Sequence, residues 1–320
     1  MNAPLPSSGE DQRLDEAARA GWLYYVARMT QDEIARELGV SRQKAQRLVS
    51  LAASAGLVKV RLDHPIARCM ELGAALKDRW GLGTAQVVPS APGAPHLLTG
   101  IAAAAATEME RILEDERPRI VALGTGRAIR AAVEEVRPME RPQHRIVSLL
   151  GNMMTDGSAS PFGASERLAE RIGARHYPMA LPVFASGPDE VAMLHAQPPV
   201  ASTLALCARA DAAFMGIAGI GLDAPMHVDG FARPDEIAAL QASGAVGEIR
   251  GRPFDASGVL IESGLAERVT GAPLVRDPDR PAIIVAVGRE KVAAIRAALT
   301  GRLVNGLVTD EATAAALLST

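Results

Sequence analysis

The 320-residue chain has only two cysteines, Cys69 and Cys207, far apart and outside any CxxC spacing. That excludes a disulfide framework and a cysteine-based zinc site, and leaves two small residues of the kind that cores bury. Aromatics are almost as scarce, at 3% of the residues. The core must therefore be aliphatic, and a reader of single-stranded nucleic acid built on stacking rings is disfavoured. No apolar run approaches the roughly 20 residues of a membrane span. Met1–Gln12 is polar, with no basic segment leading into an apolar one, so no secretory signal is visible and a cytoplasmic protein without a membrane partner is expected. Catalytic signatures are missing as well. The six histidines (His64, His96, His144, His176, His195 and His227) show no HxH, HxxxH or HExxH spacing, and there is neither GxSxG nor GxxxxGK[ST]. No metal, no cofactor and no P-loop nucleotide hydrolysis are expected.

What is present is an ordinary globular composition, 48% hydrophobic and 22% charged, with a net charge of -3. The length suits two domains. The charge is unevenly spread. Between Arg19 and Arg61 the eight basic residues outnumber Asp32, Glu33 and Glu37, giving +5, whereas the short leader carries -3 and the body -5. A basic segment on an acidic body is the asymmetry of a chain in which one part meets a polyanion, although a solvated helical face clusters charge in the same way.

The pattern inside that segment is more specific. Leu14–Met29 reads as a first helix, with Ala17, Ala18, Trp22 and Tyr25 at helical spacing. Thr30 followed by Glu33 is a capping-box signature, so a short second helix runs through Ile34, Ala35 and Leu38. Gly39 permits the turn beyond it, and Ser41 caps a third helix from Arg42 to about Ser54. Ile34, Ala35, Leu38, Val40, Ala45, Leu48 and Val49 form the expected inward set. Thr30, Gln31 and Ser41 lie at helix starts, where they can meet phosphates, and Arg42, Gln43, Lys44, Gln46 and Arg47 carry the donors and acceptors that major-groove reading needs. The expectation is a helix-turn-helix. The alternative is an αα-hairpin with a solvated basic face. Leu57–Leu62 alternates apolar and basic residues, as a wing-like strand or an ordinary edge strand would.

Beyond residue 62, His64–Trp80 reads as a linker helix with Ile66, Cys69, Met70, Gly73 and Leu76 on one face. Short apolar strands then alternate with helices: Ala85–Val88 with His96–Leu113, Ile120–Leu123 with Arg127–Val136, and Ile146–Leu150 with Phe162–Ile172. Ala213–Gly216, Ala282–Val287 and Leu303–Val308 continue the strands, the last two leading into helices Lys291–Leu299 and Asp310–Leu318. Continuous apolar strands between helices imply a mostly parallel sheet covered on both faces. The expected fold is thus α/β: an N-terminal all-α, winged-like helix-turn-helix domain (1–62), a linker helix (63–82) and a large Rossmann-like α/β domain (83–320).

Ligands of such sheets bind beyond the carboxyl ends of the strands. After Ile120–Leu123 come Gly124, Thr125, Gly126 and Arg127, which offer backbone amides, a hydroxyl, a guanidinium and a helix N-terminus to a phosphate or polyol; a strand-to-helix turn can also need glycine for geometry alone. Gly151 and Asn152 follow the next strand, and Gly216–Asp223 follows the strand at Ala213. Gly288 precedes a helix start carrying Lys291, a ligand contact or a surface lysine. Asp255 sits in a turn, where it accepts from a sugar hydroxyl or closes an Asx-turn.

These stretches resemble those of the SorC-type sugar-binding transcriptional regulators, the SorC/DeoR group. The resemblance begins at TQDEIARELGVSRQKAQRLVSLAASAGLVKVRL and continues through VALGTGRAIRAAVEEV, IVSLLGN, DAAFMGIAGIG and EIAALQASGAVGEIRGRPFDASG. It ends at VAVGREKVAAIRAALTGRLVNGLVTDEATAAALL, the most specific block, and so spans nearly the whole chain. GWLYYVARMT is similar to members that regulate polyol operons. The resemblance implies an effector domain related to the glucosamine-6-phosphate deaminase and ribose-5-phosphate isomerase folds. It also implies a homodimer or homotetramer on operator DNA of pseudo-palindromic form, with a sugar, polyol or phosphosugar as effector. By the same resemblance the effector contacts fall on Gly124, Thr125, Gly126, Arg127, Asp255 and Lys291. Many members carry tryptophan where this chain has Thr125. The expected function is a DNA-binding regulator of a carbohydrate or polyol operon. The alternative is a phosphosugar isomerase or deaminase carrying a DNA-binding domain.

Overall fold

The computed structural model describes residues 9–58, 66–91, 98–154, 157–160, 163–262 and 264–319. Its contacts divide the chain into two units, Met1–His64 and Pro65–Thr320.

The first unit is three helices: α1 (Gly9–Tyr25), α2 (Gln31–Glu37) and α3 (Arg42–Ser54). Thr30 and Glu33 form the reciprocal capping box, in which Thr30 Oγ1 accepts from the Glu33 amide at 3.4 Å and Glu33 Oε2 accepts from the Thr30 amide at 2.7 Å. The Thr30 amide, together with the Thr30 hydroxyl that donates to the same oxygen at 2.8 Å, holds the Glu33 carboxyl below its ordinary range. Gly39 takes φ +64°, and the Val40 amide reaches back to the Ala35 carbonyl at 2.9 Å, which stops α2 and turns the chain toward α3. Ala17, Ala20 and Leu23 of α1 close on Ile34, Ala35, Ala45, Leu48, Val49 and Ala52. The inward face of α1 keeps Ala17 of the expected stripe but not its aromatics. Trp22 is 56% exposed and Tyr25 lies on the surface, because the small residues Ala17 and Ala20 let α1 approach α3 closely. Gly21 shows how closely: a Cβ there would come within 2.8 Å of Ala52. Leu57 and Val58 follow α3 in a bend, and the rest of the wing-like segment, Lys59–Leu62, lies outside the described residues.

The second unit is built on a seven-stranded sheet. Its strands are β1 (Thr84–Val88), β2 (Ile120–Leu123), β3 (Arg145–Ser148), β4 (Arg175–Tyr177), β5 (Ala212–Met215), β8 (Ala282–Val285) and β9 (Gly306–Asp310), with β6 (Ala245–Ile249) and β7 (Arg252–Asp255) forming a separate hairpin. The sheet order is β1-β9-β8-β5-β2-β3-β4, and every pairing in it is parallel. Parallel neighbours require crossovers. On one face lie α5 (Thr99–Leu113), α6 (Arg127–Glu135) and α7 (Ser165–Arg171). On the other lie α4 (Ala67–Trp80), α9 (Pro198–Ala208), α12 (Val292–Thr300) and α13 (Glu311–Leu318). Side chains alternate between the two cores: Val121 and Leu123 point to one, Ala122 to the other. Shorter helices α8 (Pro188–His195), α10 (Pro225–Val228) and α11 (Pro234–Ala242) complete the unit.

Two sequence expectations shift here. The helix expected as a linker is α4, whose Leu72 and Leu76 enter the core of the sheet while Met70 is 59% exposed. The last strand begins at Gly306, not Leu303, because Arg302 takes φ +52° as α12 ends, and Leu303 and Val304 are buried in the connecting loop. Among the described residues no single helix is long and apolar enough to cross a membrane.

Replacing Thr30 by alanine should cost the first unit about 1 kcal/mol, while serine should keep most of the cap. Urea unfolding followed by Trp22 fluorescence in a Trp80→Phe background measures the difference.

Candidate functional site

In the helical unit, Ser41, Arg42, Gln43, Lys44, Gln46 and Arg47 are all exposed, while Ala45, Leu48 and Val49 between them are buried. Ser41 Oγ caps α3 by accepting from the Lys44 amide at 3.2 Å. Arg42 pairs with Asp32 at 3.5 Å and Lys44 with Glu16 at 3.0 Å, both in solvent. Exposed pairs of this kind contribute about 0–1 kcal/mol, so the cations are readily released to a polyanion. Thr30 is exposed but committed to its capping box, and Gln31 is half-buried at the start of α2.

In the α/β unit, β2 and β5 are neighbours whose connections leave on different courses. The chain after β2 enters α6 on one face, whereas the chain after β8 enters α12 on the other. The crevice at such a reversal is where α/β sheets hold ligands. Three loops meet there. A Cβ on Gly124 would stand 3.5 Å from the Met215 Cα, one on Gly216 3.4 Å from the Thr125 carbonyl oxygen, and one on Gly219 3.5 Å from the Glu290 carbonyl oxygen. Gly126 and Gly288 both take φ +123°, a conformation that favours glycine, and each begins a helical turn. Thr125 and Gly126 are half-buried and Arg127 is exposed, with its Nη2 donating to Asp229 Oδ1 at 3.0 Å.

A fourth piece was not singled out by sequence. Glu248, in β6, exchanges backbone hydrogen bonds with Ala218 (3.2 and 2.9 Å), which ties the hairpin to the loop after β5. Its Oε2 accepts from the Gly251 amide at 2.7 Å. Burial pushes the Glu248 carboxyl up to about 7, against the downward pull of the nearby Lys291 charge. Lys291 is itself lowered, chiefly by burial and secondarily by Arg127, while Glu290 and Glu248 oppose the change. Gly124, Thr125, Gly126, Gly288, Lys291 and Glu248 thus form one cluster of backbone amides, a hydroxyl, an ammonium and a carboxyl.

Gly151, Asn152 and Asp255 make local contacts of their own. Gly151 is pressed against Leu181 and Pro182, where a Cβ would meet the Leu181 carbonyl oxygen at 2.5 Å, and the Asn152 amide donates to that carbonyl at 3.1 Å. Asp255 closes an Asx-type turn, its Oδ1 accepting from the amides of Ser257 (2.8 Å) and Val259 (3.0 Å). It pairs with Ala245 at the end of the hairpin opposite Glu248. Among the described residues, no group of three His, Cys, Asp or Glu side chains is placed to hold a metal.

The model of the family described as "Putative sugar-binding domain" matches residues 64–319. The erythritol catabolism regulatory protein EryD of Brucella abortus is 34% identical over 302 residues, covering 94% of this chain and 96% of EryD. The full-length sorbitol operon regulator SorC of Klebsiella pneumoniae superposes with a TM-score of 0.70 at 25% identity, over 96% of this chain and 100% of that one. The chain belongs to the SorC/DeoR family of sugar-binding transcriptional regulators. A further relative, the deoxyribonucleoside regulator of Bacillus subtilis, is 29% identical and covers 97% of the chain and 98% of the relative. Membership of the SorC/DeoR family makes the chain a transcriptional regulator whose partners are DNA and a sugar-type effector. The enzyme alternative falls, because these relatives are regulators.

For a group whose folded pKa is raised, the associated stability is present at low pH and lost as pH rises through the folded value. Stability should therefore decline between about pH 4.5 and 7 through Glu248, and Glu248→Gln should flatten that part of the profile. Lys291→Met should move the Glu248 titration upward, as read by carboxyl-carbon NMR.

Proposed function

We propose that this regulator controls an operon for polyol or sugar catabolism, reading operator DNA with α3 and sensing a neutral polyol or sugar between the loop after β2, Glu248 and Lys291. The convergence of Gly124–Gly126, Glu248 and Lys291 at the sheet reversal carries this reading. Thr125 and the loop amides meet hydroxyl oxygens, Lys291 donates to a hydroxyl, and the Glu248 carboxylate accepts from one. The likeness to EryD, whose name concerns erythritol catabolism, supports a short polyol as the effector class. Gly151, Asn152 and Asp255 serve backbone geometry in this reading.

On the DNA side, Arg42, Gln43, Lys44, Gln46 and Arg47 supply the base and phosphate contacts, with Thr30, Gln31 and Ser41 at phosphates near the helix starts. Two or four copies on a pseudo-palindromic operator place recognition helices on successive major-groove faces. The effector acts by linkage, favouring one arrangement of the oligomer and so changing operator affinity by the same coupling energy, of the order of 1–3 kcal/mol. Such a protein works in the cytoplasm beside its DNA.

Isothermal titration of the purified chain with erythritol, other tetritols and pentitols, and their phosphates tests the effector class. A neutral polyol is expected to bind, more tightly at pH 8 than at pH 6 because Glu248 ionises near 7, and Lys291→Met or Glu248→Gln should abolish binding. Tighter binding of the phosphates at every pH would overturn the assignment. Arg47→Ala should weaken specific operator binding by about 1–3 kcal/mol if it reads a base, or reduce the salt slope by about one if it meets a phosphate.

A further inference from the structure

Arg250 is the least expected residue in the α/β unit. It occupies the first position of the two-residue turn joining β6 to β7, with φ +57° followed by Gly251 at φ +75°. That is the backbone of a type I′ hairpin, where asparagine or glycine is the usual first residue. Here the position holds an arginine that is only 7% exposed. Its Nε and Nη1 are buried without a hydrogen-bond partner. Among the described residues no carboxylate lies within ion-pair distance of it.

The side chain lines a cavity of about 40 Å³ on the face of the sheet, walled by Ala122, Leu149, Met215, Leu274 and Val275. None of the residues of the effector cluster borders it. Three other polar side chains do: Arg280, a second cation, and Asp277 and Cys207, neither of which neutralises the guanidinium. Asp277 is engaged by Arg280 Nε at 2.6 Å and by the Asp279 amide at 3.0 Å. Cys207 is a neutral thiol that donates to the Ser148 carbonyl at 3.5 Å, with burial pushing its pKa up to about 11 despite the nearby Arg250 charge. Burial also lowers the Arg250 pKa, to about 10, which still leaves the group charged at neutral pH.

A buried cation without a counter-ion is among the costlier arrangements a fold can hold. We propose that the Arg250 cavity is an anion site that takes one small monovalent anion, such as chloride or formate, as the missing counter-ion. The volume, enough for about three waters, suits such an ion. Because the Gly251 amide also holds Glu248, an anion on Arg250 fixes the turn that carries a member of the effector cluster.

The test uses the full chain without effector. Thermal unfolding is followed as sodium chloride or sodium formate replaces sodium gluconate at constant ionic strength. An anion at five times its dissociation constant favours the folded state about sixfold, a rise in Tm of about 2–4 °C. A saturating rise is expected for wild type and none for Arg250→Asn, which keeps a residue suited to the turn and removes the charge. In gluconate, Arg250→Asn should be at least as stable as wild type. Equal responses in the two proteins, no response in wild type, or a less stable variant in gluconate would each overturn the proposal. If the variant does not fold, chlorine-35 NMR on wild type decides: line broadening displaced by formate supports the site, and its absence sinks it.

Discussion

Strands β2 and β5 lie side by side and parallel, Val121 beside Ala212 and Leu123 beside Phe214, yet the chain runs away from them toward opposite edges of the sheet. Parallel pairing puts every carboxyl end on one side, and the reversal parts the helices there instead of letting them close over the gap. The amino ends are locked by charge. Asp211 Oδ2 accepts from the Ile120 amide at 2.7 Å, and Arg119 bonds both Asp211 (3.2 Å) and Asp115. With that end fixed and both faces covered by aliphatic side chains, the loops beyond Leu123, Met215 and Val285 are the parts free to carry chemistry. A Cβ added at Gly124, Gly216 or Gly219 would lie 3.4–3.5 Å from neighbouring backbone atoms, an ordinary van der Waals contact, so these loops pack side by side without a steric demand for glycine.

The same constraint explains what sequence could reveal. A strand buried on both faces is an uninterrupted apolar run, so Ile120–Leu123 was legible to the residue and the neighbouring strands nearly so. The hairpin was not. Its strands contain Glu248, Gly247 and Pro253, residues that read as loop, and its turn is Arg-Gly where the usual signal is Asn-Gly. Only the packed structure compensates: a Cβ at Gly247 would meet the Ala294 Cβ of α12 at 2.5 Å, so the strand needs glycine to lie against α12. Glu248 was invisible for the same reason, being one carboxylate among many until the Ala218 bridge brings it to the crevice. Asp255 shows the reverse, a motif aspartate whose oxygen is spent on its own turn.

In the helical unit the local signals were decisive because they are short-range. Caps at Thr30 and Ser41 and the Gly39 turn depend on residues three to five apart, and they define α2 and α3 without help from the rest of the chain. The face of α1 depends on a partner instead. Trp22 and Tyr25 have the greater hydrophobic surface, but a three-helix core this small gains more from close helix approach, which alanine permits and tryptophan forbids. Packing density, rather than side-chain hydrophobicity taken singly, selected the buried stripe.

Charge balance finally narrows what the crevice can hold. Arg127 and Lys291 bring positive charge, but Arg127 is engaged by Asp229, and Lys291 feels both Glu248 and Glu290. A phosphate would add about two negative charges beside carboxylates that already match the cations. A neutral polyol asks less. In the reading proposed above, it meets the Thr125 hydroxyl, the loop amides and the Lys291 ammonium, and it gives Glu248 a hydroxyl donor that stabilises its ionised form. Since burial disfavours that ionised form in the empty site, polyol binding and deprotonation of Glu248 favour each other. In the proposed reading, the carboxyl that sequence passed over is thus the group through which the site would distinguish a neutral effector from a charged one.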